Sequence, residues 1–229
     1  ETAQFRLSKN QIFVPIAAKL APIALQWAQK RGSRETAFDF AAEVREARSN
    51  RVAGALRDTI TVKIASEHFQ DLQQRSLVYQ GGILLPPGEY KFKFLARENE
   101  SGRIGTFEDK FTLAPSLPGR LELSSILLSS QVEAVQRTAQ VKTKAAGLDA
   151  KMKSSPLDVG GEHIVPSVTR VFTGEQTLYV FFQAYLPEKA DATALRAGLV
   201  FFRNGQRLSD TSMVAPAEYD EKTRTASFR

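Results

Sequence analysis

Few side chains of this 229-residue chain could do chemistry, and their spacing matches no common catalytic pattern. The chain has no cysteine, which excludes thiol nucleophiles, disulfides and cysteine-bound zinc. Its two histidines, His68 and His163, do not stand in a metal-binding spacing such as His-Glu-x-x-His. We therefore predict that neither histidine is a ligand, that the chain holds no metal or cofactor, and that it has no catalytic residues.

The carboxylates that attract attention have ordinary explanations. Glu98 and Glu100 flank a polar turn, where solubility is a sufficient reason for them. Asp58 and Asp109 fall on apolar faces of alternating segments, where a backbone hydrogen bond or a bulge is the expected role. No Gly-x-Ser-x-Gly nucleophile motif occurs. The sequence thus predicts that the chain is not an enzyme.

Phosphate and nucleic-acid binding are also not expected. The net charge is +6, but the densest basic stretch, residues 137–153, contains no aromatic side chain that could stack on bases. No phosphate-binding loop or dinucleotide fingerprint is present, and Gly81-Gly82 and Gly160-Gly161 are predicted to be turn glycines. No apolar run of about eighteen residues occurs either, so we predict no membrane span.

An aromatic row is the most suggestive surface feature. In the alternating segment 178–186, one face carries aliphatic residues and Phe182, and the other carries Tyr179, Phe181 and Tyr185. A two-layer sandwich buries only one face of a strand. The row of three is therefore either covered by other parts of the chain or displayed, in which case it would stack on sugar rings or bind a protein.

The elements that must position these residues are predicted to be antiparallel strands, because apolar and polar residues alternate with a period of two. Asn204-Gly205 predicts a tight hairpin turn, since a type I′ turn needs positive φ at both central residues. A short helix is expected within 66–75, with Phe69 and Leu72 turned inward, and a long loop or partly helical insertion near 131–155. The predicted strands cover 11–20, 37–45, 56–64, 88–97, 105–113, 121–128, 164–172, 178–186, 199–203 and 206–209.

The apolar faces of these strands predict the core. For the first half of the chain, the residues expected to be buried are Phe40, Ile60, Phe92, Phe94 and Phe111.

The sequence predicts an all-β protein with two consecutive immunoglobulin- or fibronectin III-like β-sandwich domains. The Pro/Ser/Gly-rich residues 115–119 mark the boundary, giving domains 1–115 and 118–229. Residues 223–229 match the strand that precedes Pro86-Pro87-Gly88 in the first half, which has two further strands after it. We therefore expect the second sandwich to be incomplete at its C-terminus.

Three segments carry a resemblance to a known family: residues 84–90, 97–108 and 164–172. They resemble the β-rich region that follows the von Willebrand factor A-like domain in exported acidobacterial "VWFA-related" proteins. The resemblance implies an extracellular or periplasmic location and an A-like domain N-terminal to this region as a partner. It implies no catalytic residue.

The function expected from these observations is that of a non-enzymatic spacer or protein-binding module of an exported bacterial protein. The first alternative is a carbohydrate-binding module that uses Tyr179, Phe181 and Tyr185. The second alternative is a hydrolase accessory domain, for which the sequence offers no motif.

Overall fold

The computed structural model describes residues 3–21, 26–30, 32–66, 69–70, 77–117, 119–135 and 155–229. The chain is all-β and its strands pair antiparallel, as predicted. It divides into two compact units, described here separately. Of the described residues, the first unit comprises 3–4 and Asn10–Pro115, and the second comprises Phe5–Lys9 with 116–135 and 155–229.

The strands are numbered along the chain. The first nine are β1 Phe5–Ser8, β2 Gln11–Leu20, β3 Ala28–Lys30, β4 Ser33–Glu46, β5 Val52–Ala65, β6 Leu77–Leu85, β7 Gly88–Glu98, β8 Ile104–Leu113 and β9 Glu122–Leu123. The others are β10 Leu127–Ser129, β11 Gln131–Ala134, β12 Asp158–Val159, β13 Glu162–Val165, β14 Tyr179–Tyr185, β15 Val200–Arg203, β16 Gln206–Asp210, β17 Glu218–Asp220 and β18 Thr225–Phe228.

The first unit is a sandwich of two antiparallel sheets. One sheet runs β5-β4-β7-β8, with β3 beside the start of β4, and the other contains the long β2–β6 pair. Alternating residues of both sheets meet in one core, which confirms the predicted strands and hairpins of this half. The core includes Ile12, Val14, Ile16, Phe38, Phe40, Val44, Leu56, Tyr79, Ile83, Leu85, Tyr90, Phe111 and Leu113.

The core prediction was right for Phe40 and Phe111, which are buried, and wrong for Ile60. Ile60 is 37% exposed because β5 is an edge strand whose middle residues lie open to solvent on its unpaired side. Phe92 and Phe94 are only partly buried, although both pack against the core. Alternation gave the correct face in each case, but not the depth of burial along that face.

Gly81 and Gly82 are not turn residues, which corrects the sequence prediction. They lie inside β6, opposite Ile16 and Pro15 of β2. A Cβ atom on Gly82 would stand 2.2 Å from the ring of Phe13, so glycine is needed there for the close approach of a side chain. Gly160 and Gly161 do form a turn, between β12 and β13, with φ of 61° and 84°.

Two turns of the first unit are held by the same kind of glutamate–serine hydrogen bond. The β4–β5 turn begins at Glu46 and the β7–β8 turn at Glu98, and in each the glutamate accepts a hydrogen bond from a serine hydroxyl three residues on. Glu98 also accepts from the amides of residues 100 and 101, at 2.8 Å each, and from Thr36 Oγ1 at 3.1 Å. Because Glu98 is 5% exposed, its role is to cap the turn rather than to aid solubility.

The second unit is built from shorter strands. Its main sheet runs β10-β14-β18-β17, with β9 also paired to β14, and a three-stranded sheet runs β11-β13-β12. The segments 121–128 and 164–172 are not single strands as predicted: the first contains β9 and the start of β10, and the second is strand only to Val165. β18 has partners on both sides and therefore presents no open edge.

Two further predictions fall largely outside the described residues. Within 66–75, Phe69 is buried as expected and packs edge-on against Trp27, whereas Leu72 lies outside the described part. In the segment 131–155, residues 131–134 form β11 instead of a loop, and 136–154 lie outside the described part.

Candidate functional site

The aromatic row singled out in the sequence is on β14, and the structure covers most of it. Phe181 is 0% exposed and Tyr185 is 4% exposed, while Tyr179 is half-buried. The ring of Phe5, on β1, stacks on Phe181 with a centroid distance of 5.6 Å. The Arg229 guanidinium lies 6.0 Å from the ring centroid of Tyr179. These three side chains therefore do not form an open stacking platform.

Arg6 completes the cover over Tyr185. Its backbone N–H donates to the Tyr185 hydroxyl at 2.6 Å, and its guanidinium lies 4.2 Å from the centre of that ring. The same guanidinium pairs with the carboxylate of Glu122 and donates to Ser116 Oγ at 2.5 Å. Burial raises the pKa of Tyr185 to about 12, against the opposing effect of the Arg6 N–H. The phenol thus stays neutral at physiological pH.

The opposite side of β14 belongs to a core cluster of the second unit, in which Ala184 is buried with Ala226 and Phe228. Ala184 is buried there, but Phe182 is only half-buried, and Leu178 at the start of the segment is exposed. Phe182 stacks on Phe228 of β18, with 5.0 Å between ring centroids. Both faces of this strand are apolar and both carry buried residues, so alternation alone did not indicate which side chains stay partly accessible.

This side of β14 forms the floor of an apolar groove of about 420 Å³ in the second unit. One wall comes from the segment containing β9, and the other from the base of the β15–β16 hairpin. We use the name apolar groove for this feature, which six side chains define: Leu123, Phe182, Ala184, Val200, Met213 and Phe228.

Above the groove stands the β15–β16 hairpin. Its turn has Asn204 at φ 51° and Gly205 at φ 79°, which confirms the predicted positive φ at both positions. Every residue of both strands is exposed, and Phe202 is 64% exposed. A register shift between Phe201 and Phe202 leaves Leu208 without a directly opposed partner, and Leu208 is exposed as well.

The base of the hairpin is held to the rest of the unit by specific contacts. Ala197 and Val214 exchange two backbone hydrogen bonds, at 2.9 and 2.8 Å. A Cβ on Gly198 would meet Met213 Sδ at 2.7 Å, so glycine allows Met213 to lie across the groove wall. The hairpin is therefore an ordered projection whose apolar side chains are not required by the core of its own unit.

The other chemical candidates occupy structural roles. His163 Nδ1 lies 2.5 Å from Asp158 Oδ1, and the second oxygen of Asp158 accepts from the amide of Ser155 at 2.8 Å. Asp109 accepts a backbone hydrogen bond, as predicted, from the amide of Lys110. His68 lies outside the described residues. Among the described residues, no three His, Asp or Glu side chains are grouped so as to hold a metal ion.

The described residues include no helix with the length and hydropathy of a transmembrane span. No family model matches the chain, and no curated protein matches it. A calcium-binding mutant of Bacteroides uniformis beta-glucuronidase 2 has a structural similarity with a TM-score of 0.33 and 9% identity. The match covers 53% of this chain and 13% of that chain, so the chain spans only a small part of that protein's length.

Proposed function

We propose that this chain is a non-enzymatic protein-binding module built from two β-sandwich domains of immunoglobulin or fibronectin III type. The observation that supports this most is the concentration of exposed apolar side chains on the β15–β16 hairpin and around the apolar groove. We call this region the docking surface and define it by Val200, Phe202, Leu208 and Met213 together with the apolar groove.

Single exposed apolar residues are normal on any protein, but a grouped set is characteristic of interaction sites. Four side chains of the docking surface lie within fourteen positions of the chain and are all exposed: Val200, Phe202, Leu208 and Met213. None of them belongs to the buried core clusters of the described residues. Their exposure therefore has a cost in solubility that binding to a partner would remove.

The resemblance to VWFA-related proteins supports the wider setting of the proposal. On that basis the module works outside the cytoplasm, in the periplasm or beyond, in a protein that carries an A-like domain N-terminal to this region. The small number of groups with catalytic chemistry in the described part of the chain is compatible with a binding role. The proposal depends on the docking surface and not on any enzymatic centre.

Carbohydrate binding through Tyr179, Phe181 and Tyr185 is not favoured by the geometry. That function needs aromatic faces open to a sugar ring, and Phe181 is already stacked on Phe5. No hydrolase role is proposed, because no sequence motif supports one and Asp39, which lines a cleft with Asp58, accepts a hydrogen bond from Thr59 Oγ1 at 2.8 Å.

The experiment is affinity capture from exported proteins with three immobilised chains. These are the wild type, the double variant Phe202→Ser/Leu208→Ser, and a control, Val52→Ser/Ile60→Ser, which changes exposed apolar residues of β5. We expect quantitative mass spectrometry to find proteins retained by the wild type and the control but lost from the hairpin variant. Each such protein is then purified and its binding measured directly. Equal capture by all three chains would contradict the proposed function.

A further inference from the structure

The docking surface carries charge as well as apolar area. The segment 195–214 contains three exposed arginines, Arg196, Arg203 and Arg207, and one exposed acid, Asp210. Arg207 and Asp210 form an ion pair with a distance of 2.6 Å between nitrogen and oxygen, so these two charges neutralise each other. Arg196 and Arg203 remain as excess positive charge, and a partner with carboxylates would complement them.

The two unneutralised arginines stand at opposite ends of the hairpin. Arg196 lines the apolar groove, and Arg203 adjoins the Asn204-Gly205 turn. Seven positions separate them, which corresponds to at most about 23 Å of extended chain at roughly 3.3 Å per residue. Val200 and Phe202 lie between them and share one face of β15, because strand side chains alternate.

The guanidinium groups are available to a partner. The guanidinium of Arg203, whose backbone pairs with Gln206, has no hydrogen bond or ion pair with any residue in the described part of the chain. Arg196 donates through Nη1, to the carbonyls of Thr193 and Leu195, which leaves Nη2 and Nε free to bind a carboxylate.

The backbone of the hairpin is available too. β15 and β16 form a two-stranded sheet of their own, and within the described residues neither strand has a partner on its outer side. Such edges accept an additional extended strand through main-chain hydrogen bonds. Alternate side chains of that strand would then point toward the apolar groove.

We propose that the docking surface binds an extended polypeptide segment of about seven residues with large apolar side chains at its centre and carboxylates at its ends. This inference rests on the proposed function and names its partner's chemistry. The central side chains enter the apolar groove beside Val200 and pack on the exposed ring of Phe202, and the terminal carboxylates pair with Arg196 and Arg203. A segment with basic ends is rejected, because like charges would meet at both arginines.

The test uses two synthetic fluorescein-labelled octapeptides with the same centre of alternating valine and phenylalanine. One has two glutamates at each end and the other has two lysines. Binding to the full chain is measured by fluorescence anisotropy at low and high salt. We expect the glutamate peptide to bind at least about tenfold more tightly than the lysine peptide at low salt, and the difference to shrink at high salt.

Charge-reversal variants assign the effect to the named arginines. Arg196→Glu/Arg203→Glu should weaken binding of the glutamate peptide by about tenfold or more and strengthen binding of the lysine peptide. Arg57→Glu, at an exposed arginine of β5 in the first unit, is the matched control and should leave both affinities unchanged. Equal affinity of the two peptides, or an equal effect of the control, would overturn the proposed peptide chemistry.

The outcomes separate this inference from the proposed function. If captured proteins depend on Phe202 and Leu208 but the glutamate peptide shows no preference, the docking surface binds a partner of other chemistry and only the inference is wrong. If the peptide binds with the expected charge dependence and Phe202→Ser/Leu208→Ser does not weaken it, the apolar part of the inference is wrong. If capture is also insensitive to that variant, the proposed function is wrong too.

Discussion

The two units place the same apolar residue types in different surroundings. In the first unit, strands of up to fourteen residues face a second sheet, and their phenylalanine and aliphatic side chains are buried in one core. In the second unit, the β15–β16 hairpin has strands of four and five residues whose side chains are all exposed. An alternating apolar strand therefore stabilises a domain only where another layer covers it, and otherwise leaves those side chains exposed to solvent.

The units also differ in where their buried side chains come from in the sequence. Among the described residues, the buried core of the first unit is assembled from the range 12–113. The second unit includes Phe5, which precedes the residues of the first core in the chain and stacks on Phe181. Its buried aromatic cluster thus depends on a contact between residues 176 positions apart, and a change at Phe5 should be felt in the second unit.

The largest effect is expected for Phe40→Ala. Phe40 is buried in the first core and stacks on Tyr79 with 3.9 Å between ring centroids. Loss of the ring should lower the free energy of unfolding of the first unit by about 3–5 kcal/mol. This loss is measured by urea denaturation, with the fluorescence of Trp27, the chain's single tryptophan, as the signal. A loss below about 1 kcal/mol would mean that this core tolerates a large cavity.

Phe5→Ala tests whether the buried aromatic cluster of the second unit depends on Phe5. Because the Phe5 side chain is fully buried against Phe181, we expect a loss of about 3–5 kcal/mol as well. The loss should appear in far-ultraviolet or tyrosine signals of the second unit while the Trp27 transition keeps its midpoint. If instead Trp27 reports the whole destabilisation, the two units do not unfold as separate bodies and the comparison fails.

Gly82→Ala should have an intermediate effect. The added Cβ would stand 2.2 Å from the Phe13 ring, so the ring must move, at a cost of about 1–3 kcal/mol. Gly105→Ala is the matched control, because Gly105 is also a strand glycine and a Cβ there meets nothing within 4 Å. The control should be neutral or slightly stabilising. Equal midpoints for the two variants in a urea titration would show that Phe13 moves at no cost.

Glu98→Gln should weaken the first unit by about 1–2 kcal/mol at neutral pH, since the buried carboxylate loses charge-assisted hydrogen bonds. Burial raises the pKa of Glu98, but the hydrogen bonds from Ser101, the amide of residue 100 and Thr36 outweigh it, and the net pKa is lowered. A lowered pKa in the folded state contributes stability above the unfolded value, and that stability is lost as pH falls through the folded value.

The difference in melting temperature between wild type and Glu98→Gln should therefore be largest near pH 7 and should shrink below about pH 4. Glu46→Gln is the matched control in the sister turn, where the carboxylate is more exposed and its pairing is screened by solvent. It should change the melting temperature less. An equal effect of the two variants at every pH would mean that burial of the turn carboxylate is irrelevant.

The smallest effect is expected for Phe202→Ala. Although it removes as large a ring as Phe40→Ala does, the side chain is exposed and the stability should change by no more than about 0.5 kcal/mol. Lys91→Ala, on the exposed face of β7, should be equally silent. A loss above about 1 kcal/mol for Phe202→Ala, measured by urea denaturation, would show that the hairpin stabilises its own unit and would weaken the proposed binding role.

The sequence determined the elements whose signal is local. Alternation located β2, β4, β5, β7, β8 and β14, because one side of each strand had to be apolar for the chain to fold. Asn204-Gly205 specified its turn through backbone sterics alone, which no distant contact can easily override. The all-β class follows from these elements. None of them required knowledge of which sheets or strands pack against each other.

Tertiary structure decided which apolar face is covered. On β14 both faces are apolar, so a period of two does not indicate what covers each face. The stacking of Phe5 on Phe181 covers the aromatic face, and a core cluster with Ala226 and Phe228 covers Ala184 on the other. The same limit explains Ile60, whose position on the apolar side of β5 was correct but whose strand is at a sheet edge. It also explains Gly82, whose need for a missing Cβ is set by the Phe13 ring on a neighbouring strand. Burial depends on the neighbouring layer, which is contributed by residues far away in sequence, and local pattern contains no record of it.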